Sequence, residues 1–138
     1  MSNDDAATMH DVAATMPFVQ HCGITIASAT REEVKGSLAW RTELCTTAGV
    51  IHGGALMTLA DSLGAICAFM NLPAGAMTST IESKTNFFRP VTQGAVHGTT
   101  TPLHVGKTTI VVQTDLRDYA GKRVALVTQT QAVIVRPA

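Results

Sequence analysis

Gly53-Gly54-Ala55-Leu56-Met57-Thr58-Leu59-Ala60-Asp61-Ser62-Leu63-Gly64-Ala65-Ile66-Cys67-Ala68-Phe69-Met70 is the stretch on which the fold turns. Leu56, Met57, Leu59, Ala60, Leu63, Ile66 and Phe69 cover nearly every side of a helix with 3.6 residues per turn. A helix that is apolar all round is one buried by its neighbours. Asn71-Leu72-Pro73 ends it, because proline cannot continue a helix. The apolar run from Ala55 to Met70 is interrupted by Thr58, Asp61 and Ser62, so it reads as too short and too polar to span a bilayer. A core helix is expected, and the rest of the chain has to supply its walls.

The walls read as strands. Met16 to Gly23 is a short helix with proline in its first turn and glycine at its stop. Gly23 to Ala29 and Glu33 to Trp40 follow as strands, the second alternating Val34, Gly36, Leu38 and Trp40 with polar or small residues. After the helix come Met77 to Phe88, Ala95 to Val105, Lys107 to Asp118 and Val124 to Arg136, with a hairpin turn at Asp118-Tyr119-Ala120-Gly121. Strands joined by short turns pair antiparallel. The expectation is one α+β domain over residues 1–138, with five or six antiparallel strands curled around one long central helix. Residues 1–14 show no clear period and read as mobile or loosely helical.

Composition narrows the function. Apolar residues make up 46% and charged residues 14%, which excludes a disordered chain. Ten basic side chains balance ten acidic ones, so no general field attracts nucleic acid or an anionic membrane. A surface so short of charge suggests self-association. Cys22, Cys45 and Cys67 form no metal or disulfide spacing and read as reduced thiols. The acidic Met1-Ser2-Asn3-Asp4-Asp5 start lacks the apolar run of a secretory signal. A cytoplasmic protein is expected.

Two oddities share the central helix. Asp61 is a carboxylate two turns into an apolar rod, and burying such a group is costly unless it is paired, hydrogen-bonded or neutralised. Perturbed carboxylates of this kind concentrate at active sites, although a local cap or a basic neighbour would also explain one. His52-Gly53-Gly54 opens the helix, where the first N–H groups have no internal acceptor and the helix dipole favours an anion or a developing oxyanion. A tight turn alone would also use two glycines.

His52-Gly53-Gly54 followed by Leu59-Ala60-Asp61 resembles the signature of hotdog-fold acyl-CoA thioesterases of the phenylacetic acid degradation (PaaI-like) family. Phe18 to Ile24, Thr80 to Val91 with its Phe88-Arg89-Pro90, and the Gly121-Lys122-Arg123-Val124-Ala125 turn extend the resemblance over nearly the whole chain. It implies a sheet wrapped around the central helix, a homodimer with two sites at its interface, and association of dimers into a homotetramer. Asp61 would serve as general base or nucleophile, and the Gly53 N–H of the other subunit would polarise the thioester carbonyl. His52 would shape the loop. Thr46 stands where relatives carry an asparagine or glutamine, a departure that weakens or moves one substrate contact, with Thr47 as an alternative. Thr80, with Ser79 and Ser83 nearby, is the expected polar neighbour of the carboxylate. Leu56, Met57 and Phe69 are candidate neighbours of the acyl group.

The activity so implied is hydrolysis of an acyl-CoA to a carboxylic acid and free coenzyme A, with no metal or redox cofactor. A hotdog hydratase or dehydratase and a non-catalytic acyl-CoA binding protein are the alternatives. Arg89, Lys107, Lys122 and Arg123 are the candidate partners of the coenzyme A phosphates. Gly106-Lys107-Thr108 lacks the earlier glycine of a phosphate loop and precedes a strand. His97 and His104, seven apart in one strand, are expected on opposite faces and so not to share a metal.

Overall fold

The computed structural model describes residues 14–137, so the reading of residues 1–14 falls almost wholly outside it. Helix α1 (Pro17–Cys22) carries proline in its first turn and stops at Gly23, whose φ of 76° is the left-handed conformation that favours glycine. Six strands follow: β1 (Ile24–Ala29), β2 (Val34–Ala39), β3 (Ala76–Phe87), β4 (Ala95–Val105), β5 (Thr109–Arg117) and β6 (Arg123–Val135). Helix α2 (Gly53–Met70) lies between β2 and β3 in sequence. All strand pairs are antiparallel in one sheet of order β1-β2-β4-β5-β6-β3. The expected α+β architecture is present, with six strands.

Strand alternation sets the core. Val34 and Leu38 on β2, Val96 on β4, and Ile110, Val112 and Leu116 on β5 are buried against Leu59, Leu63 and Ile66 of α2. The helix packs against every strand. Leu63 is seated with particular closeness. Gly36 and Gly98 face each other in register on β2 and β4, and a Cβ on either would run into the Leu63 methyls. The two glycines thus open a trough in the sheet for one side chain. Leu63→Ala empties it and is expected to lower the unfolding free energy by about 3–4 kcal/mol in urea denaturation.

Two readings of the helix need correction. It is 18 residues long with a mean hydropathy of 1.4, long and apolar enough to cross a membrane, so its length does not argue against a span. Its place here is inside the curl of the sheet, with half of it buried. Nor is it covered on every side. Met57, Asp61 and Phe69 are exposed, because one sheet cannot close around a helix completely. Met57 and Asp61 are one turn apart, so they share a face, which opens beside β3. Strand β3 is the sheet edge, twelve residues long, and Met77, Ile81 and Phe87 stand exposed on it.

Cys67 lies on the covered face of α2, and burial pushes its thiol up to about 11. The folded chain keeps this proton where the unfolded chain, with an ordinary thiol near 9, releases it. Stability is therefore expected to fall as pH rises from roughly 9 to 11, by up to roughly 2–3 kcal/mol. Titrating the urea midpoint checks this, and Cys67→Ala should flatten the slope.

Candidate active site

The helix entrance is built from a narrow loop. Cys45 and Ile51 form an antiparallel bridge, Thr46 N–H donates to the Val50 carbonyl at 2.8 Å, and His52 N–H donates to the Leu44 carbonyl at 2.8 Å. Ala48 and Gly49 both take left-handed conformations, with φ of 61° and 71°. The Trp40 indole pins the turn by donating to the Gly49 carbonyl at 2.8 Å. Glycine adopts this conformation freely, whereas an alanine there costs about 1 kcal/mol.

At the helix start, His52 caps. Its Nδ1 accepts from the Gly54 N–H at 2.8 Å, so that nitrogen carries no proton. A Cβ on Gly54 would press on the same ring at 2.9 Å, which is why glycine stands there. Ala55 and Leu56 N–H groups reach the His52 carbonyl. Of the first four donors of α2, the Gly53 N–H alone has no acceptor among the described residues. It borders a cleft of about 380 Å³ together with Thr46, Leu56, Phe87, Phe88 and Arg89. Thr46 is therefore beside Gly53, whereas Thr47 does not line this cleft.

Asp61 borders a second cleft with Met57, Thr58, Thr80 and Ser83. The two clefts share no residue, and eight helical positions separate Gly53 from Asp61 by roughly 12 Å. In the single chain Asp61 is exposed, and it forms no ion pair with a basic neighbour among the described residues. Hydrogen bonds hold it instead. The Thr80 hydroxyl donates to Oδ1 at 3.0 Å, and the Gln129 amide donates to the same oxygen. A bulge between Thr80 and Glu82 shifts the β3 register, so Thr80 and Ser83 both pair opposite inward-facing glutamines of β6, Gln131 and Gln129. Ser79 pairs with Ala132 and does not line the cleft.

Gln129 and Gln131 are the residues the sequence reading passed over. Both are buried, at 1% and 0% exposure. Their signal was present: β6 buries Val127, Gln129 and Gln131 at every second position, and two amides on an inward face are anomalous. Phe69, proposed beside the acyl group, lies eight residues beyond Asp61 and lines neither cleft.

The basic candidates divide. Arg89, Lys122 and Arg123 share a groove with Phe88 and Arg117, the last missed in the sequence. Through Phe88 and Arg89 this groove adjoins the Gly53 cleft. Asp115 organises it, binding Arg117 at 2.9 Å and Arg123 at 3.0 Å. Burial pushes the Asp115 carboxyl upward, but bonds from Arg123 and Arg117 outweigh this and leave it below the ordinary value. Lys107 belongs elsewhere. It lines a cleft with Arg31, Asn71 and Val105. The nine residues of β5 hold the turn carrying it roughly 30 Å from the Lys122 turn.

Among the described residues no three His, Cys, Asp or Glu side chains gather to hold a metal. The two β4 histidines do not lie on opposite faces as expected. A bulge between Pro102 and His104 lets His97 and His104 pair opposite Arg117 and Val111, both on the outward face.

One antiparallel sheet curled around one helix, with an open carboxylate on that helix, is the hotdog arrangement. Residues 48–125, more than half of the chain, match the Thioesterase superfamily, and the chain belongs to that family of thioester hydrolases. It is 27% identical over 106 residues to the proofreading thioesterase EntH of Cronobacter sakazakii, covering 77% of each. The crystal structure of a thioesterase from Haemophilus influenzae matches with a TM-score of 0.82 at 27% identity, over 86% of this chain and 82% of that one. A thioesterase family protein from Silicibacter pomeroyi matches with a TM-score of 0.89 over 95% and 98%, and at 22% identity that likeness concerns the fold alone.

His52 offers a direct check of its capping role. His52→Ala is expected to lower stability by about 1 kcal/mol, and His52→Asn, a good cap, to restore most of it. Hydrolysis surviving in His52→Asn would confirm that the ring shapes the helix start without carrying a proton.

Proposed function

We propose that this chain is an acyl-CoA thioesterase whose active site is completed by a second copy, with Asp61 of one subunit acting on a thioester held at Gly53 of the other. The observation that carries the reading is one helix-end donor and one carboxylate oxygen that have no partner among the described residues. Among the described residues the Gly53 N–H has no acceptor and Asp61 has no cation, yet they lie in separate clefts of one chain. A two-fold partner lying antiparallel across the exposed β3 edge would bring Asp61 of each chain towards Gly53 of the other. Closing that edge would also cover Met77, Ile81 and Phe87 and remove water from the carboxylate.

In this mechanism the thioester carbonyl accepts from the Gly53 N–H, strengthened by the helix dipole as charge grows on the oxygen. Thr46 adds one hydroxyl to the same cleft. Asp61 either takes a proton from the attacking water or attacks the carbonyl carbon itself. When water attacks, the thiolate of coenzyme A leaves with the proton that Asp61 took, and the acid remains; when Asp61 attacks, the thiolate leaves a mixed anhydride on Asp61, which water then hydrolyses to the acid and the free carboxylate. Hydrolysis moves no electrons between reactants, so no redox cofactor is invoked, and the mechanism draws on no metal. Coenzyme A is favoured because the Gly53 cleft adjoins the groove of Arg89, Arg117, Lys122 and Arg123, suited to phosphates. The His-Gly-Gly and Leu-Ala-Asp motifs favour the phenylacetic acid degradation branch, with dimers pairing into a homotetramer.

Complementation tests the composite site. Asp61→Asn and Gly53→Pro, which deletes the N–H at a helix position tolerant of proline, should each reduce thiol release from acyl-CoAs at least 100-fold. Co-expressed mixed dimers should recover activity at one site, where wild-type Asp61 meets wild-type Gly53. No recovery in purified heterodimers would refute sharing across the interface, and full hydrolysis by Asp61→Asn would remove the catalyst.

A further inference from the structure

We propose that Gln129 is a positioning residue: beside Thr80, which ends a relay from Thr78 through Gln131, it holds one oxygen of the Asp61 carboxylate and leaves the other to react. The inference rests on the reading of Asp61 as the catalytic group. Every donor in the relay points the same way. The Thr78 hydroxyl donates to Gln131 Oε1 at 3.1 Å, and Gln131 Nε2 donates to Thr80 Oγ1 at 2.7 Å. Thr80 and Gln129 then both donate to Asp61 Oδ1. The bond donated by Thr78 fixes the Gln131 amide orientation, so the Thr80 hydroxyl proton has Asp61 as its acceptor. Oδ2 has no partner among the described residues, and the carboxylate faces the cleft.

Packing alone would not choose this arrangement. Gln129 is buried with its Oε1 unpartnered among the described residues, a loss that an apolar side chain of the same size avoids. That amide also occupies the space above Gly64, in the middle of α2, where a Cβ would collide with it. Glycine inside a helix is itself less favourable than alanine. Two independent sacrifices of stability therefore meet at one amide, and what that amide touches is Asp61. A residue kept against stability is a residue kept for function.

The groups around the carboxylate make the test clean. Met57, Thr58, Thr80 and Ser83 line its cleft, Gln129 and Gln131 face it from β6, and none of these titrates. Glu82 and Lys84 on β3 pair with Thr130 and Thr128 of β6, on the outward register. On α2, Cys67 is buried.

Gln129→Met keeps the volume and removes the donor. It is expected to lower kcat about tenfold with KM within about twofold, and to leave Tm equal or higher. Gln131→Met, which cuts the relay one step back, should lower kcat by less. The proposal is overturned if Gln129→Met folds and keeps the wild-type kcat, or, should it not fold, if Gln131→Met does so. Asp61→Asn run alongside separates the two failures: inactive Asp61→Asn beside an unchanged Gln129→Met rejects the relay only, whereas active Asp61→Asn rejects the catalytic reading itself.

Discussion

Helix α2 carries enough apolar surface to need cover on nearly all sides, and a single curled sheet supplies cover on one. Leu59, Leu63 and Ile66 face the sheet and are sealed. Met57 and Asp61 face the gap that the sheet leaves beside β3. This geometric shortfall shapes everything else. It leaves a carboxylate in reach of solvent on an otherwise greasy rod, and it leaves a twelve-residue edge strand with apolar side chains beside it. Such an edge invites a second strand, because unpaired backbone groups and exposed apolar surface are relieved together. The catalytic reading and the dimeric reading thus have one origin.

The carboxylate is governed by hydrogen bonds in place of charge. No cation binds Asp61 among the described residues, and two donors meet on one of its oxygens. A basic neighbour would lock an acid in an ion pair and blunt it as a base or nucleophile. Neutral donors orient it and leave its second oxygen open. The strand bulge at Thr80 and Glu82 serves the same end, since without the register shift Thr80 and Ser83 could not both face inward. At the other end of the cleft system the cations are handled differently: Asp115 gathers Arg117 and Arg123 into a fixed groove.

Several features were readable before any coordinates. Period-two alternation in 109–117 and the apolar wheel of 53–70 each announced their element, because burial acts on side chains at the period of the backbone. Asp61, Gly53, Thr46 and Thr80 could be singled out because each breaks a local pattern or fills a motif. The relay partners were harder. Gln129 and Gln131 were not singled out, because alternation alone gives two faces without saying which is inside. The two histidines of β4 went wrong for a related reason, since a bulge adds one residue and flips every assignment beyond it.

The sequence by itself determined the elements, their order and the residues capable of chemistry, because these follow from backbone periodicity, proline and glycine stereochemistry and side-chain type. Only the tertiary structure decided which of those residues meet. Arg117 joined Arg89 while Lys107 was carried to the opposite end of the strands, and Gln129 from the last strand arrived at a carboxylate 68 positions earlier. Contacts of that kind depend on sheet order, bulges and how far a sheet can curl, and none of these has a local signature in the chain.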